Sequence, residues 1–337
     1  MAETGFSRIS VVIANYNYGK YVGRAIESAL DLDWPDVEVI VVDDGSTDDS
    51  REVISSYESR GVKTLFQPNS TQRVARNRGY EISSGDVIIH LDSDDVLFHS
   101  LAREVADVWR PGVSKVQFQM MRIDENDRSL ESVFPEFPEV PTSEEVRSWA
   151  TRTSAYPTPP GSGNAYSREF LDKIFPLDDS CGPATDSACL AAAPFLGDVV
   201  TVAKPLVGYR VHGDNVSNLV ADPERFPKAV ERARARYWYT VRLMTEEGMD
   251  EAGEAPLYRS RALLQLRIAS RRLRPDAHPL PGDTWLRMLS DAVRSPFWPG
   301  PEKATKRIKI VAWSLATLIS PEKIACKLIE IRYGQRK

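Results

Sequence analysis

Apolar residues in the first third of the chain fall in short runs separated by polar clusters. Residues 8–14 (RISVVIA), 37–42 (VEVIVV), 62–67 (VKTLFQ) and 86–91 (DVIIHL) are four such runs. Each is strand-length, and bounded by turn formers. Between them the apolar spacing changes. Val22, Ile26, Ala29 and Leu30 recur at helical intervals in 21–30, a second helix is expected over 48–59 behind Ser46 or Thr47, and a third over 71–85, closing on Gly85. Strand and helix in alternation predict βαβ units, and near-continuous apolar strands suit a mainly parallel sheet with helices on both faces. After residue 98 the rhythm changes. A helix over 98–109 and a strand over 113–123 precede residues 134–160, which hold six prolines and one short helix near 143–150. Long connections of this kind tend to carry function. Residues 165–175 and 186–196 read as helices, 199–211 as extended, and the chain from about 224 onward as charged helix.

Composition narrows the function classes. Hydrophobic residues make up 42% and charged residues 27%, as in soluble globular proteins, and a net charge of −5 argues against a nucleic-acid binder. The cysteines, Cys181, Cys189 and Cys326, are odd in number and lack metal-site spacing. They predict a reducing compartment without a disulfide framework. MAETGFSRIS has no basic segment followed by an apolar one, so no signal peptide and a cytoplasmic location are expected, and the sequons at Asn69 and Asn215 read as chance. No apolar run is long enough to span a bilayer. Residues 301–337 carry nine Lys/Arg against three Glu around IKIVAWSLATLI. Two readings stay open: peripheral contact with an anionic membrane, or a helix packed on the preceding domain with a solvated basic face.

Three polar clusters follow the apolar strands: Asn15-Tyr16-Asn17, Asp43-Asp44-Gly45-Ser46 and Asp92-Ser93-Asp94-Asp95. Ligands sit at the carboxyl ends of strands in open α/β sheets. Singly, the clusters also suit solvated turns or helix caps. Together they point to a site, and three carboxylates within four positions demand something that neutralises them.

ISVVIANYN, VIVVDDGSTDDS, ARNRGYEISSGDVIIHLDSDD and YRVHGDNVS resemble glycosyltransferase family 2 over about 8–217. The resemblance implies an inverting enzyme with the GT-A fold over 1–220, leaving 221–337 as a helical extension. It makes Asp92 and Asp94 the family's D-x-D, with Asp92 on the ribose or a divalent cation and Asp94 on the cation, Mn²⁺ or Mg²⁺. His212 then joins the metal or the diphosphate, and Asp95 belongs to the same site or caps the next helix. The resemblance also implies that Asp44 bonds the base, as uracil N3–H, and that Tyr16 stacks on it or packs beside it. Ala14 stands where many relatives have a hydroxyl, and Ser93 completes the nucleotide-sugar set with Arg73 and Arg76. Those two arginines share a helix face. Arg76 matches the family's A-R-N and meets either the nucleotide or an acidic neighbour. Thr185-Asp186 replaces the family's Glu-Asp, so Asp186 is the expected catalytic base, or else the N-cap of helix 187–196. In 157–171, Gly161 and Gly163 permit close backbone approach to a sugar, and Asn164 bonds a sugar hydroxyl or caps a loop. His90 reads as core.

The expected function is metal-dependent, inverting transfer of a sugar from a nucleoside-diphosphate sugar, UDP-linked by the resemblance, to a glycan or lipid-linked acceptor in polysaccharide synthesis. Two alternatives are an inactive sugar-nucleotide-binding module and a nucleotidyltransferase. The second lacks a Gly-rich phosphate loop with a following Lys near the first strand.

Overall fold

A computed structural model describes residues 5–181, 185–212, 222–249 and 253–334, without the side chain of Thr185. The GDNVS end of the last motif, with the Asn215 sequon, and Arg336 and Lys337 of the basic tail lie outside the described residues. The chain divides into two compact units: Met1–Arg147 with Pro157–His212, and Ser148–Tyr156 with Gly213–Lys337.

The first unit alternates as its apolar pattern requires. β1 (Ile9–Asn15), α1 (Gly19–Leu30), β2 (Val37–Asp43), α2 (Ser50–Ser55), β3 (Lys63–Phe66), α3 (Gln72–Glu81) and β4 (Val87–Asp92) come first. β5 (Val96–Leu97), α4 (Leu101–Val108), β6 (Val113–Ile123), β7 (Ser129–Phe134), α5 (Ser143–Thr153), which belongs to the second unit from Ser148 onward, β8 (Asn164–Ser167), α6 (Arg168–Leu171), α7 (Thr185–Leu196) and β9 (Asp198–Arg210) follow. The nine strands form one sheet in the order β3-β2-β1-β4-β8-β6-β9-β5, with β7 beside β6. β3, β2, β1 and β4 run parallel, as does β6 with β9, whereas β5, β7 and β8 pair antiparallel. The sheet is therefore mixed. Its core is built from β1, β2 and β4 against α1 and α4, around Ile9, Val11, Ile13, Ile26, Val41, Ile89 and Leu101.

Several elements differ from the pattern-based expectation. Residues 165–175 begin as a buried strand, because β8 fills the gap between β4 and β6, and the helix starts only where Ser167 accepts from Phe170 N at 3.2 Å. Pairing on both sides overrides local helical spacing. α3 ends at Glu81, ahead of Gly85. A Cβ on Gly85 would lie 2.5 Å from Ser10 N, so this glycine serves close packing against β1. The helix expected over 48–59 shortens to α2 and a 3-10 turn, Glu58–Arg60. β7 was not legible in the pattern.

The second unit is helical: α8 (Arg225–Glu246), α9 (Ala255–Tyr258), α10 (Arg261–Leu273), α11 (Trp285–Arg294), α12 (Ala304–Ile319) and α13 (Glu322–Tyr333). α10 is its axis. Leu264 and Ile268 pack with Met288, Ala292 and Leu318, and Ala269 packs with Phe226 and Ile329. The apolar stretch of the basic tail thus supplies core to this unit. Among the described residues, no helix is long and apolar enough to cross a membrane.

Candidate active site

Register places the three polar clusters on one edge of the sheet. Asn15 stands opposite Asp43, and Ala14 stands opposite both Val42 and Asp92. Asn15 Nδ2 donates to Asp43 Oδ2 at 2.9 Å, and Ser46 Oγ donates to the same carboxylate at 2.5 Å. Thr47 N donates to Asn17 Oδ1 at 2.7 Å. These bonds lock the two strand-to-helix turns together and leave Tyr16 exposed at the edge. The buried Asp44 carboxylate accepts from Gln67 Nε2 at 2.6 Å, Ser70 N at 2.8 Å and Thr71 N at 2.9 Å. Asp44 therefore shapes the loop ahead of α3. Gly45 has φ +78°, and a Cβ there would meet Asn69 N at 2.6 Å, so only glycine fits this turn.

The three carboxylates after β4 find three different partners. Asp92 Oδ1 accepts from Arg76 Nη2 at 2.8 Å, and Asp92 N donates to Ser162 Oγ at 3.0 Å. Burial pushes the Asp92 carboxyl up to about 6, against the pull of Arg76 and with the help of Asp94 and Asp186. Asp94 Oδ2 lies 2.9 Å from His212 Nε2, and the imidazole is held between Tyr18 and Tyr21. Asp95 Oδ1 accepts from Arg210 N at 3.0 Å. Its carboxyl is pushed well up by burial and by Asp94 and Asp92. Asp95 thus ties this turn to β9, and α4 takes Ser100 at its N-terminus instead. Ser93 Oγ donates to Ala14 O at 2.8 Å, fixing the turn on β1.

Gly161 marks where the remaining groups converge. A Cβ at this position would lie 3.3 Å from Asp92 Oδ2, 3.4 Å from Arg76 Nη2 and 3.8 Å from Asp186 Cβ. Gly161 N donates to Asp186 Oδ2 at 3.3 Å. Asp186 lies in the first turn of α7, after Thr185, and so does not occupy the cap position. A carboxylate there is favoured by the helix dipole.

Other expected site residues are placed differently. Arg73 turns away to Leu177 O, at 3.1 Å, and to Asp179. Asn164 is buried and donates to the carbonyls of Pro160 and Gly161, at 2.9 and 3.2 Å, so it braces the turn that carries Gly161. A Cβ on Gly163 would lie 2.5 Å from Pro159 Cβ, so this glycine faces a proline ring and not open space. His90 is buried and stacks on Phe175, as a core residue. Ser162 and Gln67 were missed by sequence reasoning. Ser162 had a signal in its Gly-Ser-Gly setting, whereas Gln67 had none.

Residues 10–175 match the sequence profile of glycosyl transferase family 2. The chain belongs to glycosyltransferase family 2. An uncharacterized glycosyltransferase from Nostoc sp. (strain PCC 7120) is 38% identical over 214 residues, covering 62% of this chain and 66% of the relative. This family member thus spans just under two thirds of that relative. Its fold is that of GT-A glycosyltransferases. Staphylococcus aureus TarS 1–349 in complex with UDP-GlcNAc superposes with a TM-score of 0.55 at 16% identity, over 97% of this chain and 92% of TarS. The mannosyltransferase PcManGT from Pyrobaculum calidifontis, in complex with GDP-Man and Mn²⁺, gives 0.52 at 16%, over 96% and 84%. The family match includes all three strand-end clusters and Gly161, and ends before Asp186 and His212. The placement of those two residues beside the cluster rests on the geometry above.

Proposed function

We propose that the first unit transfers a sugar, with inversion, from a nucleoside-diphosphate sugar to an acceptor hydroxyl, with a divalent cation bound. The observation that carries this reading is the convergence of Asp92, Arg76 and Asp186 around Gly161. A single base is needed to take the acceptor proton as the hydroxyl attacks the anomeric carbon, and Asp186, whose carboxylate accepts from Gly161 N at 3.3 Å beside Arg76, is placed for that role. Arg76 sits between Asp92 and Asp186 and offsets part of their mutual repulsion.

Asp92 and Asp94, with His212, would hold the cation, Mn²⁺ or Mg²⁺. Two carboxylates crowded behind one arginine suit a hard cation. Among the described residues no ready three-ligand cage exists, so the diphosphate and water would complete the coordination. When bound, the cation supplies charge neutralisation at the leaving diphosphate. On the base side, Tyr16 is exposed for stacking, and Asp44 keeps about one lone pair, on Oδ2, beyond its three internal bonds for the base of a UDP-linked donor. Ala14 and Ser93 form the turn beneath it, and Gly163 and Asn164 shape the loop on the acceptor side. Arg73 acts through the Leu177–Asp179 segment. The reading places the enzyme in the cytoplasm, making glycan or lipid-linked product.

Asp186→Asn tests it. Transfer and donor hydrolysis should fall by about 10²–10⁴ while UDP binding stays within severalfold of wild type. Normal turnover by the Asn variant would reduce Asp186 to a helix-terminus residue. Release of pyrophosphate in place of a nucleoside diphosphate would identify a nucleotidyltransferase.

A further inference from the structure

The second unit carries a feature that the transfer reaction does not use. A cavity of about 480 Å³ opens between the last turn of α5, α9, α11 and the turn after α11. That volume lies in the range of about 300–1,000 Å³ that small-molecule sites occupy. Arg152, Arg259, Arg287 and Arg294 line it, over a wall that includes Tyr258 and Trp298. Arg287 is held flat on Tyr258, its guanidinium 3.5 Å from the ring centroid. Asp291 is the cavity's carboxylate, and Arg267 already engages it at 2.8 Å while also pairing with the buried Asp283. None of the four lining arginines makes an ion pair among the described residues. Four like charges around one cavity repel unless an anion enters.

α11 shows what kind of anion. At 100° per residue its positions fall into three stripes. Met288 and Ala292 form the buried one. Arg287, Asp291 and Arg294 form the second, facing the cavity. Leu286, Leu289 and Val293 form the third, and all three are exposed, Leu286 at 80%. Phe297, exposed at 87%, continues this stripe and also lines the cavity mouth. A helix that buries one apolar stripe has no folding reason to display a second. Apolar side chains beside an arginine-lined cavity match a ligand with an anionic head and an apolar body.

We propose that the second unit docks on an anionic phospholipid surface, with a lipid phosphate in the arginine cavity and the Leu286–Phe297 stripe in the acyl boundary. The surplus of basic over acidic residues after position 212 favours the same surface. The contact lies on α11 and the adjoining turn, whereas the apolar residues of the 301–337 tail that pack at Ile310 and Leu318 are core. This inference does not rest on the reading of the first unit, and its readout is binding, not transfer.

The test is co-sedimentation of the full chain with vesicles containing phosphatidylglycerol or made of phosphatidylcholine alone. The chain should pellet with the first at low salt, be released by high salt, and stay in the supernatant with the second. Arg259→Glu with Arg294→Glu should weaken binding about tenfold or more, and Leu286→Ser with Phe297→Ser about tenfold. These four side chains are exposed, so melting temperatures should be unchanged. Ile319→Ser with Ile331→Ser, also exposed but on the tail, should leave binding intact. Loss of binding in the tail pair alone would overturn the proposal. So would equal pelleting with phosphatidylcholine, absence of pelleting, or binding of inorganic phosphate by the arginines without any vesicle binding, which would mark a soluble-anion site.

Discussion

Gly161 and Gly163 lie two residues apart in one turn and are small for different reasons. Gly161 leaves room where Asp92, Arg76 and Asp186 meet, with the nearest charged atom 3.3 Å from where a Cβ would stand. Gly163 makes way for Pro159, whose ring would be 2.5 Å from its Cβ, and for Met120. Alanine at 161 needs the charged side chains to give by a few tenths of an ångström, so the fold should survive and transfer should fall at least tenfold. Alanine at 163 forces backbone or ring to move, and such overpacking costs about 1–3 kcal/mol. Gly163→Ala should therefore lower the melting temperature by several degrees. Paired thermal melts and donor-hydrolysis rates on the two variants check this, and the opposite pattern would place the reacting groups elsewhere. Sequence alone called both glycines sugar-facing. Backbone freedom is legible in a glycine, but the neighbour that requires it comes from another element.

At the scale of elements, one carboxylate staples the parallel half of the sheet. Glu38 on β2 accepts from Ser10 Oγ on β1 at 2.6 Å, Lys63 Nζ on β3 at 2.5 Å, and Ser84 N before β4 at 2.9 Å. Burial alone would raise its carboxyl, but Lys63, Ser10 and Ser84 together hold it down at about 2. A depressed folded-state value means stability that is present above the ordinary 4.5 and lost as pH falls toward 2. Glu38→Gln should be less stable than wild type by about 1.5–3 kcal/mol at pH 7, the usual worth of hydrogen bonds to a charged group. The gap should narrow steadily from pH 4.5 down to about 2. Urea unfolding across that range measures it, and a pH-independent gap would mean that packing, not charge, is what the variant loses.

At the scale of the whole molecule, each unit closes its own core, one around a mixed sheet and one around α10. A ligand that binds only the native state protects the amides of its own site. UDP with Mn²⁺ should therefore slow hydrogen exchange at 43–47, 67–76, 92–95 and 161–163 and leave α10 to α12 unchanged. EDTA should remove most of the protection at 92–95. Protection that persists in EDTA would take the cation out of the site.

The sequence by itself determined the parallel half of the sheet, because strands buried on both faces must be apolar almost without a break. It also determined which carboxylates cluster after β4, because that segment is contiguous, and it carried the family in its motifs. Tertiary structure decided the rest. Arg76 and Arg73 share a helix face in sequence, yet one reaches Asp92 and the other Asp179, since only the packing of α3 says what each faces. Asp186 meets Asp92 across 94 positions through the Gly161 turn, a closeness no local pattern encodes. Residues 164–167 became a strand because β4 and β6 offered them hydrogen bonds on both sides. The apolar run of the tail left membrane contact and packing both open; Ile310 and Leu318 turn into its own unit while Ile308 and Ile319 stay exposed, and α11 displays a longer exposed stripe. Periodicity says that a face is apolar; only the fold says what covers it.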